Sequence, residues 1–205
     1  MAEFWEVAFL EKQMMWGRDP ARSALVAAEL FSRLGAKSVL IPGIGYGRNA
    51  QPFLARGMSV TGIEISETAI ALARAELGLE VPIHHGTVSA MPYDHARYDG
   101  IFCFGLLYLL DGEARAKLVR DSWAQLAPGG AMMFTVVSKA SPMYGRGTKL
   151  ADEWYEPLPG LTMYFYDEKS AAHELEGCGP IEVSTIDEPA HGSSLPFLNI
   201  VCRKP

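Results

Sequence analysis

Cysteine is scarce in this chain: three in 205 residues. Cys103, Cys178 and Cys202 lie far apart and show no C-x-x-C spacing. That excludes a disulfide framework and a zinc finger-like site, and it fits a reducing compartment. Long apolar runs are missing as well. The run Ile101–Leu110 covers 10 residues, whereas a membrane-spanning helix needs about 20. Basic residues are in deficit, with 18 Lys and Arg against 24 Asp and Glu and a net charge of −6. A protein that grips nucleic-acid backbone carries the opposite balance. The N-terminal stretch M-A-E-F-W-E-V-A-F-L-E-K-Q has acids where a secretory signal has bases. The chain is therefore expected to be cytoplasmic, to touch neither membrane nor nucleic acid, and to act on something small, as a monomer or a homodimer. No repeat, low-complexity tract or linker breaks it, so one domain over 1–205 is expected. Helices within 1–35 would cover a sheet core in 36–205.

What is present is an alternation of apolar strand-like runs with helical stretches, which points to an α/β fold with a parallel sheet between helices. Residues 3–15 read as a helix. Asp19-Pro20 reads as N-cap and first turn of another that runs to Leu34 and stops at Gly35. Strands are expected at 37–42, 58–65, 81–85, 98–105 and 131–138. Between them, helices are expected at 48–57, after Ser66, and after Asp111. Ile70, Ala73 and Leu77 would share one face of the helix after Ser66. The charged run 113–121 reads as a solvated helix face. Residues 139–166 read as irregular, Asp167 opens a last helix, and strands near 181–187 and 195–203 close the chain as an antiparallel hairpin.

The informative segment is V-L-I-P-G-I-G-Y-G-R-N, Val39 to Asn49. Gly43, Gly45 and Gly47 allow a tight turn and close approach of backbone to a ligand. Such a loop at the carboxyl end of a first strand borders the crevice where open α/β sheets bind ligands. Glu64 follows Gly43 by 21 residues and ends the second strand. A carboxylate there suits two ribose hydroxyls, because both are donors and it only accepts. The ligand read from these residues is an adenosine compound. The third glycine comes one residue earlier than in the G-x-G-x-x-G fingerprint, with Arg48 in the fingerprint's last position. That spacing suits an amino-acid tail better than a pyrophosphate. The alternative for the loop alone is a tight turn without a ligand.

With these pieces the sequence resembles class I S-adenosylmethionine-dependent methyltransferases over roughly 36–205. Within them it is most similar to the compact tellurite-resistance and thiopurine methyltransferase group. The similar segments are G-x-G-R-N at 45–49, R-G-M-S-V-T-G-I-E-I-S at 56–66, Y-D-G-I-F-C-F at 98–104, L-A-P-G-G at 126–130 and the E-x-x-H segment Glu188 to His191. The resemblance implies a doubly wound, seven-stranded, mostly parallel sheet ending in an antiparallel hairpin. It also implies an enzyme that binds S-adenosylmethionine, releases S-adenosylhomocysteine and moves a methyl group to a small molecule by direct displacement. Gly43, Ile44 and Gly45 would line the methionine tail, Glu64 would hold the ribose and Ile65 would pack on the adenine ring; Gly47 is also expected among the cofactor-binding residues. Thr87, Val88 and Ser89 would meet the adenine edge, and Phe104 to Leu106 would border the transferring methyl group. His191 would lie near the active site. Two positions depart from the pattern. Ile41 stands where an acidic residue is usual before the first glycine, and Thr87 where Asp is usual after the third strand. These keep a catalytically silent binding domain open as an alternative. A methyltransferase on a macromolecule is the other alternative, although Cys103-Phe104-Gly105-Leu106 replaces the N/D-P-P-Y/F of the nucleic-acid and glutamine branch.

Displacement at a sulfonium-activated carbon needs alignment above all, which supplies roughly 7–11 kcal/mol. Neither a catalytic triad nor a metal is therefore expected. Trp16, Tyr46, Phe104 and Tyr108 are candidates to face the sulfonium. Tyr46 is placed in a loop, away from core packing. Trp16, Tyr108, Tyr144, Arg146 and Tyr164 are candidates for the acceptor pocket. His191 and Tyr108 are the candidates for a catalytic role. His84 and His85 are adjacent on a strand, point to opposite faces and do not chelate one metal together.

Overall fold

A computed structural model describes residues 2–190 and 193–205. Its main sheet has seven strands in the order β3-β2-β1-β4-β5-β10-β9. Strands β1 (Ser38–Pro42), β2 (Ser59–Glu64), β3 (Ile83–His85), β4 (Tyr98–Phe104) and β5 (Leu126–Val137) run parallel. The order steps outward from β1 to β3 on one side, then jumps to β4 on the other. That jump is the topological switch point, and it places a crevice at the carboxyl ends of β1 and β4. Strands β9 (Ile181–Ala190) and β10 (Ser193–Arg203) form the antiparallel hairpin, with β10 against β5 from Phe197↔Val137 to Arg203↔Ala131.

The central strands are apolar on both faces because helices cover both. Val39 and Ile41 of β1 pack with Phe31, Phe53 and Phe102 on one side, whereas Leu40 packs with Ile101, Cys103 and Phe134 on the other. Helix α2 (Arg22–Arg33) precedes β1, α3 (Gln51–Leu54) and α4 (Glu67–Leu77) follow β1 and β2, and α5 (Gly112–Gln125) and α6 (Glu168–Glu174) lie between the later strands. Ser66 and Asp111 cap α4 and α5 as expected, each accepting from the N–H three residues on. The buried residues of α4 are Ala69, Leu72 and Ala73, so its inward face is turned from the one expected through Ile70 and Leu77. α1 spans Ala2–Lys12. Its Glu6 accepts from the Ser66 hydroxyl at 2.6 Å and from Thr68, which fastens α1 to the start of α4.

Several local expectations are corrected. α2 starts at Arg22 without a side-chain cap of its own, not at Asp19-Pro20. The stretch 48–57 is one 3-10 turn and a single helical turn, because Pro52 and Gly57 leave little room for more. The β5 strand begins at Leu126 and carries a bulge before Ala131 instead of following a separate turn. Residues 139–166 are not irregular throughout. They hold a three-stranded antiparallel sheet, β6 (Thr148–Ala151), β7 (Trp154–Leu158) and β8 (Leu161–Tyr164). Strand β6 is exposed at all four residues, so it shows no period-two pattern in sequence. The run 113–121 is not wholly solvated either. Arg115 is buried, donates to Glu174 at 2.8 Å, and stacks its guanidinium 4.2 Å from the centre of Tyr164.

Candidate active site

A cavity of about 560 Å³ opens at the carboxyl edge of the parallel strands. Its floor is built by four strand ends. After β1 the chain turns through Gly43, Ile44 and Gly45; β2 contributes Glu64 and Ile65; β3 leads to Gly86, Thr87, Val88 and Ser89; β4 leads to Phe104, Gly105 and Leu106. Gly43 takes φ +70°, and a Cβ there would lie 2.9 Å from the Leu106 side chain. Only glycine lets the first crossover and the end of β4 approach this closely.

Glu64 is nearly inaccessible to solvent. Its Oε2 accepts from the Gly45 N–H at 2.8 Å, and its Oε1 accepts from Ile65 and Ser66, both at 2.9 Å. Burial raises its pKa; the three backbone donors oppose that. The carboxylate thus ties β2 to the glycine turn before any ligand is considered. Three accepted bonds leave part of its capacity, since a carboxylate offers about four lone-pair sites.

Of the residues expected to serve a cofactor, Trp16, Gly43, Ile44, Gly45, Glu64, Ile65, Thr87, Val88, Ser89, Phe104 and Leu106 all border this one cavity, together with Tyr108. Gly47 does not. It adopts φ +84° behind the loop, where a Cβ would meet Leu79 at 2.2 Å, so it serves helix packing. Tyr46 is buried, not a free loop side chain. Its hydroxyl donates to the Gly17 carbonyl at 2.8 Å and its ring stacks on Trp16. Tyr144, Arg146 and Tyr164 stand away from the cavity wall. Tyr144 donates to Glu153 at 2.7 Å, and Tyr164 lies against Arg115. His191 falls outside the described residues. His84 pairs with Asp94 at 3.2 Å and His85 with the Ile65 carbonyl at 3.1 Å. Ile41 is in the apolar cluster with Phe31 and Phe53 and does not line the cavity. An acid at that position would be buried among hydrocarbon here. Thr87 accepts from the Ser89 N–H at 3.2 Å, and its carbonyl accepts from the Tyr93 hydroxyl at 2.8 Å.

For the outer wall, two segments were legible in advance, the N-terminal helix and 139–166, but not the residues that line it. Trp5 and Phe9 of α1, Met143, Leu161 and Met163 near the small sheet, and Leu195 and Phe197 of β10 supply it. They are ordinary apolar residues in distant segments, and only the fold brings them together. Arg48 and Glu188 also reach it. Glu188 of β9 accepts from the N–H groups of Arg22 at 2.9 Å and Ser23 at 2.7 Å, and from the Ser23 hydroxyl. It is the missing cap of α2, supplied from a strand 165 residues later. The E-x-x-H segment gave a sequence signal for Glu188, but not for this role.

Residues 39–130 match the family of methyltransferase domains. A ubiquinone biosynthesis O-methyltransferase of Azotobacter vinelandii is 29% identical over 116 residues, which is 55% of this chain and 49% of that protein. The chain spans about half the length of the curated relatives it matches. Among solved structures, the 1,6-didemethyltoxoflavin-N1-methyltransferase of Burkholderia thailandensis, with 1,6-didemethyltoxoflavin and S-adenosylhomocysteine bound, superposes with a TM-score of 0.74. It is 22% identical, and the match covers 99% of this chain and 86% of that one. TehB of Haemophilus influenzae superposes with a TM-score of 0.66 at 19% identity, covering 89% of this chain and 62% of that one. Residues 39–130 are thus similar to methyltransferase domains, and the fold of the whole chain is that of the superposed methyltransferases. Structural neighbours include an N-methyltransferase as well as TehB; the likeness to them shows the fold and singles out no subgroup.

Proposed function

We propose that this protein is a methyltransferase that takes a methyl group from S-adenosylmethionine and delivers it to a small-molecule acceptor. The observation that carries the reading is the buried Glu64 carboxylate beside a turn that has no Cβ at Gly43 and Gly45, on one wall of a cavity at the switch point. A nucleoside with an amino-acid tail fits this set. Glu64 retains about one acceptor site for a ribose hydroxyl, the glycine turn offers bare main chain to the tail, and Ile65 and Val88 offer apolar faces to the base. Thr87 and Ser89 border the same end, and Phe104, Leu106, Trp16 and Tyr108 border the reacting carbon. A cavity of about 560 Å³ lies inside the roughly 300–1,000 Å³ range of small-molecule sites.

When bound, S-adenosylmethionine supplies a carbon activated by a sulfonium. The residues of this chain hold the two partners in line and keep water out. Orientation of this kind is worth roughly 7–11 kcal/mol of barrier. The aromatic rings of Trp16 and Phe104 favour a cation beside them by about 0.5–2 kcal/mol.

Thermal unfolding with S-adenosylhomocysteine tests the reading. At 100 times its dissociation constant a ligand stabilises by about 2.7 kcal/mol, which for a chain of this size is a rise of roughly 5–10 °C. NAD in the same assay is expected to leave the transition where it is. No shift with S-adenosylhomocysteine would reject the proposal.

A further inference from the structure

Arg48 brings a cation to the wall of the cavity. Its Nη1 donates to the Asp19 carbonyl at 2.9 Å and the Trp16 carbonyl at 3.4 Å, and its guanidinium lies over the Phe104 ring, 5.7 Å from the centre. No carboxylate forms an ion pair with it among the described residues. Two acids face it. Asp19 is exposed to solvent. Glu188 stands on the same wall, but both its oxygens are occupied by the start of α2. The guanidinium is thus partly desolvated and incompletely matched, which is costly unless an anion completes it.

Tyr108 is the second group. Its hydroxyl makes no hydrogen bond among the described residues, and a Cβ on Gly105 would lie 3.8 Å from that oxygen. Its ring packs against Phe197 at 6.1 Å. Burial pushes its ionisation well above the ordinary range, so at neutral pH it remains a donor and does not act as a base. Around these two donors the wall is apolar: Trp5, Val137, Met143, Leu161 and Met163. The described wall therefore offers hydrogen-bond donors and a cation, and its three carboxylates, Glu64, Asp111 and Glu188, each already accept from backbone N–H groups.

Resting on the methyltransferase reading, we propose that the acceptor is an apolar molecule whose nucleophilic oxygen or sulfur is already ionised when it binds, seated between Arg48 and Tyr108. The charge logic supports this. A sulfonium at Phe104 and a guanidinium over the same ring repel in apolar surroundings, and an anion between them relieves both. The anionic lone pair forms the new bond to the methyl carbon. The carbon–sulfur bond of the sulfonium breaks, and its electron pair stays on sulfur as a neutral thioether. Anion and cation cancel, and the acceptor's proton has already gone to solvent, so no base is needed.

The test uses 4-nitrophenol, whose ionisation is visible by absorbance, and 4-nitroanisole as its neutral counterpart, both added to the full chain saturated with S-adenosylhomocysteine. The bound phenol is expected to ionise at a pH about one unit lower than the free phenol, a tenfold change in its ionisation constant. Nitroanisole is expected to bind at least tenfold more weakly. Arg48→Met should return the midpoint to the free value while calorimetry shows the S-adenosylhomocysteine affinity within about twofold, which also reports that the variant is folded. Arg48→Lys should restore part of the shift, and Tyr108→Phe should lose part of it. Equal binding of the two probes, no binding of the phenolate, or an unshifted midpoint in the unmodified protein overturns the proposal. So does an Arg48→Met variant that loses S-adenosylhomocysteine but keeps methylthioadenosine, because the guanidinium would then serve the carboxylate tail of the cosubstrate. Failure of the unmodified protein to bind S-adenosylhomocysteine overturns the methyltransferase reading itself, and this inference with it.

Discussion

Glu64 does two jobs with one carboxylate. It is hydrogen-bonded to Gly45, Ile65 and Ser66, and under the proposed function it also receives a sugar. Glu64→Gln keeps the shape and removes the charge. Hydrogen bonds to a charged group contribute about 1.5–3 kcal/mol, so calorimetry should show S-adenosylhomocysteine affinity falling roughly 10- to 100-fold. Gly47 makes the opposite case. It belongs to the same glycine triplet, but its φ of +84° and the Leu79 side chain behind it give it a packing role. Gly47→Ala should therefore cost more than about 1 kcal/mol in urea unfolding by pushing the turn off α4. Spacing alone does not separate these glycines, because all three obey the same sequence pattern and differ only in which side of the turn they present.

At the scale of elements, the start of α2 depends on a residue outside its own segment. Asp19-Pro20 looks like a helix start, but the first N–H groups of α2 are met by Glu188, and the Ala21 N–H by Asn49 at 2.9 Å. Glu188→Ala should destabilise by about 0.5–2 kcal/mol as a lost cap, read as a lower urea midpoint with unchanged slope. The small sheet β6–β8 is joined to the core by Lys139, which meets Glu153 at 2.8 Å and Asp167 at 2.7 Å. The Lys139 hydrogen bond is the first cause that pulls the Asp167 carboxyl down from 3.8 to about 2. A carboxyl lowered on folding adds stability that is present above its unfolded value of 3.8 and is lost as pH falls towards 2. An acid titration of Lys139→Met by circular dichroism should accordingly be flatter between those values than that of the unmodified chain.

For the whole molecule, the cavity is a meeting of distant parts. α1 reaches it through Trp5 and Phe9, the small sheet through Leu161 and Met163, and the hairpin through Leu195 and Phe197. Arg115 joins α5 to that sheet by its contacts with Tyr164 and Trp154, and to α6 by its bond to Glu174. Removing one partner of such a buried pair costs about 3–5 kcal/mol. Arg115→Met should lower the unfolding midpoint by roughly 6–20 °C at this chain length. By itself, the sequence determined the alternation of strands and helices, the glycine turn and the acidic end of β2. Each of those is written in a short stretch whose backbone geometry is decided by its own residues. Only the tertiary structure decided that Glu188 caps α2, that Arg115 is buried, and which side chains wall the cavity. Those outcomes depend on segments far apart in the chain meeting in the fold, 59 residues apart for Arg115 and Glu174 and 166 for Arg22 and Glu188, and an apolar side chain carries no mark of the partner it will meet.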